Sequence, residues 1–291
     1  MTFKNRGVLI RWDFGQIYKQ IRQSKGLTQA EVCGNEIARS TLANFETGIS
    51  IPKFETMVFF LDQIDMSIEE FRYICHEFQP SERQSILYSL QNLPPYPNLE
   101  TFEQLQNQCE NYLTFHYDVP IKHLSDMLSI YILLYQGESI ASSKKLYKAT
   151  QKIWEYLEKQ DTWYESDLRL LRTILHHFPI EVLPDITDKI LESLKKYKNY
   201  RNIKPFQIAL LTNLSNIYFH AGQTSDCEKI INLAIELAKQ IKHYVYLGTG
   251  YIRLGICRGD DALIENGLAL LRLTDEQDLL IMLEEEVKKY R

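Results

Sequence analysis

The stretch FGQIYKQIRQSKGLTQAEVCGNEIARSTLANFETGISIPKFETMVFFLDQIDMSIEEF, residues 14–71, decides how this chain is read. Its apolar residues recur at helical spacing in short runs parted by turn residues, which predicts five small helices. The first spans roughly Asp13 to Ser24, carries Phe14, Ile17 and Ile21 on one face, and ends at Gly26. Thr28 caps the second, and the third covers roughly Arg39 to Thr47 and stops at Gly48. Pro52 leads into the fourth, Phe54 to Ile64, and Ser67 caps a fifth that includes Ile68 and Phe71. Ser and Thr suit those starts because their oxygens accept hydrogen bonds from otherwise unpaired first-turn amides.

Outward from this stretch, the helical period continues almost to residue 291, and alternating strand-like runs are absent. A chain of 291 residues, 45% hydrophobic and 24% charged, is ordinary globular material for two domains. Pro80, Pro94, Pro95 and Pro97 punctuate a linker with one short helix. From Leu99 about ten helical segments follow, with loops expected at Pro120, Gly137, Pro179, Pro184, Pro205, Gly222, Gly248 and Gly259. Such short loops imply antiparallel neighbours. Within ALLTNLSNIYFHAGQTSDCEKIINLAIELAK, residues 209–239, Leu211, Leu214, Tyr218, Gly222, Cys227, Ile231 and Ala234 keep the spacing of a tetratricopeptide helix pair. A weaker copy lies 33 residues on, at Tyr251, Gly255, Asp260, Ile264 and Gly267. A generic helical bundle is the alternative.

Charge is divided unevenly. Through Lys53 the chain has eight basic residues (Lys4, Arg6, Arg11, Lys19, Arg22, Lys25, Arg39 and Lys53) and four acidic ones (Asp13, Glu31, Glu36 and Glu46), a net of +4. The rest, with 25 basic and 34 acidic, carries −9. A basic head on an acidic body implies that only the head meets phosphate. The five cysteines, at 33, 75, 109, 227 and 257, form no CxxC pair, which predicts reduced thiols and neither a disulfide framework nor a zinc site. No apolar run reaches the ~20 residues of a membrane span, and Arg11 and Asp13 break the opening apolar patch, so no secretory signal is expected.

The 14–71 stretch resembles the Cro/C1-type helix-turn-helix. Leu27-Thr28-Gln29 opens the second helix, Arg39-Ser40-Thr41-Leu42 opens the third, and Phe45-Glu46-Thr47-Gly48 with Pro52 closes the motif. In that architecture the third helix enters the major groove by its amino end while the second crosses the backbone. The resemblance makes Arg39, Ser40 and Asn44 candidates for base readout; Arg pairs bidentately with guanine and Asn with adenine. Thr41 is placed for a base or a phosphate, Gln29 for a phosphate, and Lys53 for the neighbouring backbone or minor groove. Arg22 and Glu46 match positions that form an ion pair tying the first helix to the third, an architectural reading weighed ahead of DNA contact for Arg22. Ala38 stands where a capping Ser or Thr is usual, so the recognition helix starts less firmly or one residue earlier.

As a whole the chain looks like the Rgg/MutR regulators, relatives of the peptide-sensing Rgg, PlcR and PrgX group. The resemblance implies an all-α protein: a five-helix head at 1–75, a linker with a short helix at 76–98, and a right-handed superhelix of antiparallel tetratricopeptide-like pairs at 99–291. It further implies a cytoplasmic homodimer that binds double-stranded operator DNA and a short signalling peptide, as in quorum sensing, with no cofactor and no membrane contact. A concave face built from first helices would present Thr212, Asn213, Asn216, Phe219 and His220 from the better repeat, and Tyr246, Thr249 and Arg253 from the weaker. Asn satisfies a peptide's NH and CO together, and Arg253 is placed to hold a carboxylate; helical Asn bonding a neighbouring loop is the plainer reading.

Enzyme signatures are missing. His76-Glu77 is not followed by a second His at zincin spacing, Gly248-Thr249-Gly250 lacks the dinucleotide pattern, and neither a P-loop nor a GxSxG occurs. His176 and His177 are neighbours on a helix and poor joint ligands. The aromatic stripe Tyr131, Tyr135, Tyr147, Trp154, Tyr156 and Trp163 reads as helix packing, with an apolar ligand as the alternative. The rival functional class is a helical-repeat scaffold or an antitoxin controlled by a protein partner.

Overall fold

Helices α1 (Phe14–Ser24), α2 (Gln29–Cys33), α3 (Arg39–Glu46), α4 (Phe54–Gln63), α5 (Ile68–Cys75) and α6 (Glu82–Gln91) open the computed structural model. It describes residues 13–93, 98–139, 143–200 and 203–290; the opening basic residues Lys4, Arg6 and Arg11, and Pro94, Pro95 and Pro97, lie outside the described residues. Two compact units emerge, 13–93 with 107–117 and 98–106 with 118–290. All regular structure among the described residues is helical.

In the first unit the starts are built as the residue types require. Thr28 accepts from the Glu31 amide while the Glu31 carboxylate accepts from the Thr28 amide, a reciprocal cap. Ser67 caps α5 through the Glu70 amide, and Ser81 and Gln84 repeat the reciprocal cap on α6. Ala38, by contrast, offers α3 no side-chain cap, and the helix begins at Arg39. Ile17, Tyr18, Val32, Leu42, Phe45, Phe60, Leu61 and Ile64 fill the core. Tyr18, Phe45 and Phe60 meet ring to ring, with centroids 5.6 to 6.0 Å apart, and the buried Tyr18 hydroxyl donates to the Phe60 carbonyl at 2.8 Å.

Beyond the Tyr18–Phe45 ring contact, two further contacts hold α1 against α3. At Gly15 an added Cβ would lie 1.8 Å from the Phe45 carbonyl oxygen, so only glycine allows the backbones this close. The second is the buried pair of Arg22 and Glu46, 6% and 1% exposed. Arg22 Nε and Nη2 donate to the two Glu46 carboxylate oxygens at 2.6 and 2.9 Å, and Nη1 donates to the Leu27 carbonyl at 2.5 Å. Glu46 in turn holds the Arg22 guanidinium pKa above its usual value.

The second unit contains the start of α7 (Leu99–Phe115) and α8 (Val119–Tyr135), α9 (Lys144–Leu157), α10 (Glu165–Ile174), α11 (Leu183–Lys196), α12 (Lys204–His220), α13 (Thr224–Ile241), α14 (Tyr244–Arg258), α15 (Asp261–Leu273) and α16 (Gln277–Tyr290). Single 3-10 turns at Leu175–His177 and Ile180–Val182 lie between α10 and α11. The repeat positions Leu211, Leu214, Tyr218, Cys227, Ile231 and Ala234 are all buried, and α12 packs on α13, α13 on α14 and α14 on α15. The hydroxyls of Tyr218 and Thr187 share a buried hydrogen bond of 2.8 Å.

Several expected loops are corrected here. Gly248 lies inside α14. There it faces Gly267 of α15: a Cβ on either glycine would lie within 3 Å of the other's carbonyl oxygen. The break falls instead at Lys242, whose left-handed backbone ends α13. Pro120, Pro184 and Pro205 sit in the first turns of α8, α11 and α12, where a missing N–H costs no hydrogen bond. His176 and His177 belong to a 3-10 turn, not an α-helix.

Two substitutions test the α1–α3 contact. Gly15→Ala should lower the unfolding free energy by about 1–3 kcal/mol, read from urea denaturation. Arg22→Ala, which strands a buried carboxylate, should cost ~3–5 kcal/mol; a loss no larger than that of an exposed arginine such as Arg39 would show that the pair does not hold the head together.

Candidate nucleic-acid interface and ligand groove

Helix α3 divides into two faces. Leu42, Phe45 and Glu46 are buried, whereas Arg39, Ser40 and Asn44 are exposed and Thr41 is half-buried. With ~100° between successive residues, Ser40 and Asn44 point away from the core, and Arg39 stands at the leading end. Among the described residues Ala38, Arg39 and Ser40 at that end are all exposed. Lys53 is also exposed, at the residue before α4. Gln29 is partly withdrawn: its side-chain amide donates to Glu46 at 2.9 Å, joining the Arg22 pair. The loop between α3 and α4 adds a feature the sequence reading passed over, since Ile49, Ile51 and Phe54 are 74%, 94% and 72% exposed. Three apolar side chains within six residues were the available signal.

In the second unit the groove candidates from α12 and α14 do share a neighbourhood, because the Arg253 guanidinium lies 4.3 Å over the Phe219 ring. Thr212, Phe219, Thr249 and Arg253 are buried, Asn216 and Tyr246 half-buried, and Asn213 and His220 exposed. Burial raises the Tyr246 phenol pKa and lowers that of the His220 imidazole. Three atoms here, Thr212 Oγ1, Asn216 Oδ1 and Arg253 Nε, are buried without a hydrogen-bond partner.

Helix α16 was not anticipated in this neighbourhood. Glu286 receives both terminal nitrogens of Arg253. The Tyr290 ring meets Phe219 at 4.7 Å, and its hydroxyl lies 3.2 Å from His220 Nδ1. Arg253 is therefore matched by an acid of its own chain. Periodicity marks α16 as a helix but carries no information on which helix it rests against.

The aromatic stripe separates in two. Tyr131 stacks on Phe102 at 5.2 Å and Tyr135 meets it edge-on, while the Tyr156 hydroxyl donates to Asp167; these are packing. Tyr147, Trp154 and Trp163 instead line a cavity of about 680 Å³ with His177, Phe178 and Lys189. Burial pushes the His177 imidazole down to about 4. Among the described residues no group of His, Cys, Asp or Glu is placed to hold a metal ion, and no helix is long and apolar enough to cross a membrane.

Comparison with known proteins agrees with this layout. Residues 19–71 match a helix-turn-helix family model. Several solved structures are similar over nearly the full length. The SHP pheromone receptor Rgg2 of Streptococcus dysgalactiae has a TM-score of 0.69 at 15% identity, with 95% of this chain and 100% of that one covered. PlcR of Bacillus thuringiensis, solved with the peptide PapR7 and DNA, scores 0.65 at 16% identity over 94% and 98%. ComR of S. thermophilus, solved with DNA and its signalling peptide ComS, scores 0.65 at 14% over 95% and 99%. At these identities the likeness establishes the fold. Membership rests on residues 101–251, more than half of the chain, which match the model of the C-terminal domain of the HTH-type transcriptional regulator Rgg; the protein belongs to the Rgg family of helix-turn-helix transcriptional regulators.

Proposed function

We propose that this Rgg-family regulator is a cytoplasmic homodimer that reads operator DNA with α3 and is switched by a short peptide held between α12 and α14. The division of α3 carries the reading: Leu42, Phe45 and Glu46 anchor it, leaving Arg39, Ser40 and Asn44 turned outward at the end that enters a major groove. Arg39 and Asn44 supply base-edge contacts, Ser40 and Thr41 a base or phosphate contact, and Lys53 a backbone contact. Gln29 reaches phosphate while remaining tied to Glu46. Residues 1–75 serve as the DNA-binding head, 76–98 as linker, and 99–291 as the sensing and dimerising body.

A peptide is favoured over a protein partner by the three unpaired buried atoms on Thr212, Asn216 and Arg253. An extended peptide offers alternating N–H and C=O groups that satisfy such atoms, and relatives of this fold were solved with signalling peptides. Asn213, Phe219, His220, Tyr246 and Thr249 complete the surface. Because Glu286 already faces Arg253, Arg253 is engaged only where a peptide carboxylate exchanges with Glu286, and Thr212 and Asn216 bond the peptide backbone once it displaces the side chains that cover them.

Gel-shift titration of the DNA upstream of its own gene, with and without short apolar peptides encoded nearby, tests both halves. The wild type should give a sequence-selective, salt-sensitive shift. Arg39→Ala should weaken it by ~1–3 kcal/mol, roughly 5- to 150-fold, with folding intact by circular dichroism. Asn216→Ala should leave the peptide-free shift unchanged and weaken the peptide response about tenfold. A shift that responds to a protein partner and to no peptide would favour the antitoxin-like reading, and no shift at all a scaffold.

A further inference from the structure

Cys227 lies in the first turn of α13 and Cys257 in the last turn of α14, and their sulfurs are 3.6 Å apart. One residue beyond each cysteine, Arg258 Nε bonds the Glu228 carboxylate at 2.7 Å, fixing the two helices in register at this level. We propose that Cys227 and Cys257 form a peroxide-oxidisable dithiol site that closes into a disulfide between α13 and α14.

The two thiols are unequal in the way such a reaction requires. Cys227 is fully buried, whereas Cys257 is partly exposed. The Cys227 S–H next to Cys257 lowers the Cys257 pKa, and the same contact together with burial raises that of Cys227. Burial and Glu228 oppose a Cys257 thiolate, and Arg253 and Arg258 favour it. Because only Cys257 reaches solvent, it is the sulfur that meets oxidant, and the buried Cys227 beside it the thiol that resolves it. The other three cysteines, Cys33, Cys75 and Cys109, are buried.

The oxidant is a hydroperoxide, with hydrogen peroxide the simplest. The Cys257 thiolate attacks one peroxide oxygen, the O–O bond breaks, and the departing hydroxide takes a proton to leave as water. Cys257 is then a sulfenic acid. Cys227 loses its proton and its sulfur attacks the Cys257 sulfur, forming the S–S bond and expelling the sulfenic oxygen as a second water. Two thiols are oxidised by two electrons, and one peroxide is reduced to two waters. The sulfurs must close to about 2.05 Å. The bond would pin the carboxy end of α14 one turn beyond Arg253.

The test treats the reduced full-length protein with hydrogen peroxide, alkylates it under denaturing conditions, and maps it by mass spectrometry. Two of the five thiols should become unreactive, with an intact mass lower by two hydrogens, an internal Cys227–Cys257 link, and full reversal by dithiothreitol. Cys257→Ser should abolish the reaction. Cys227→Ser, and Cys227→Ala as the variant that retains a small apolar group, should halt at a sulfenic acid trapped by dimedone on Cys257. Persistence of all five thiols at peroxide doses that oxidise a free cysteine control would overturn the proposal. Links formed only between chains, or a dimedone adduct anywhere but Cys257 in both Cys227 variants, would overturn it equally.

Discussion

The arrangement of the head depends on a charge pair kept almost wholly out of water. Removing a guanidinium and a carboxylate from solvent costs several kcal/mol for each ion, and their attraction offsets that only when the geometry is good and the remaining polar atoms are satisfied. Arg22 and Glu46 meet both conditions: the contact is two-pronged, Arg22 has a further acceptor at Leu27, and Glu46 a further donor at Gln29. The consequence is rotational. A helix whose last residue must face inward toward α1 has no freedom to turn, so Ser40 and Asn44 are directed outward by a residue on the opposite side of α3. With no side-chain cap at Ala38, α3 is oriented by its carboxy end, and Arg39 and Ser40 at its amino end are exposed.

How far this was legible in the sequence depended on whether the cause was local. Thr28 and Ser67 announce themselves because a cap is an interaction within four residues, and the tetratricopeptide positions because burial of one helix face has a fixed period. Ends drifted by a residue, as at Thr47 and Ile64, where the last turn unwinds without a marker. The larger misreading was of Gly248. A glycine signals a break when it supplies unusual backbone angles, but it also permits two helices to touch, and only the facing Gly267 distinguishes the cases. The prolines failed in the same way, since Pro begins a helix as readily as it ends one.

The sites were less legible than the fold. The outward residues of α3 follow from the motif, but the engagement of Gln29 with Glu46 is a contact across 17 residues that no local pattern encodes. Helix α16 is the stronger case. It contributes Glu286 and Tyr290 to a surface whose other members lie some thirty to seventy residues earlier, and one acidic residue among several on that helix gives no sign of its partner. The cavity beside Trp154 and Trp163 likewise arises because α9 and α11 do not close over the turn that carries His177, a matter of volume that residue type leaves open.

The distribution of unpaired polar atoms bears on what the α12–α14 surface is for. A buried donor or acceptor left without a partner costs about 1–3 kcal/mol, so folded chains rarely retain one without a reason. Here three of the four such side-chain atoms among the described residues fall on α12 and α14, and the fourth, His177 Nε2, lines the separate cavity. Chance placement over sixteen helices would scatter them. A surface selected only for packing would also replace Thr212 and Asn216 by apolar residues of similar volume, removing the penalty at little cost in shape. Beside them Phe219 supplies apolar area, so α12 and α14 bring unpaired polar atoms and an apolar ring together in one neighbourhood, the combination on which the proposed peptide groove rests.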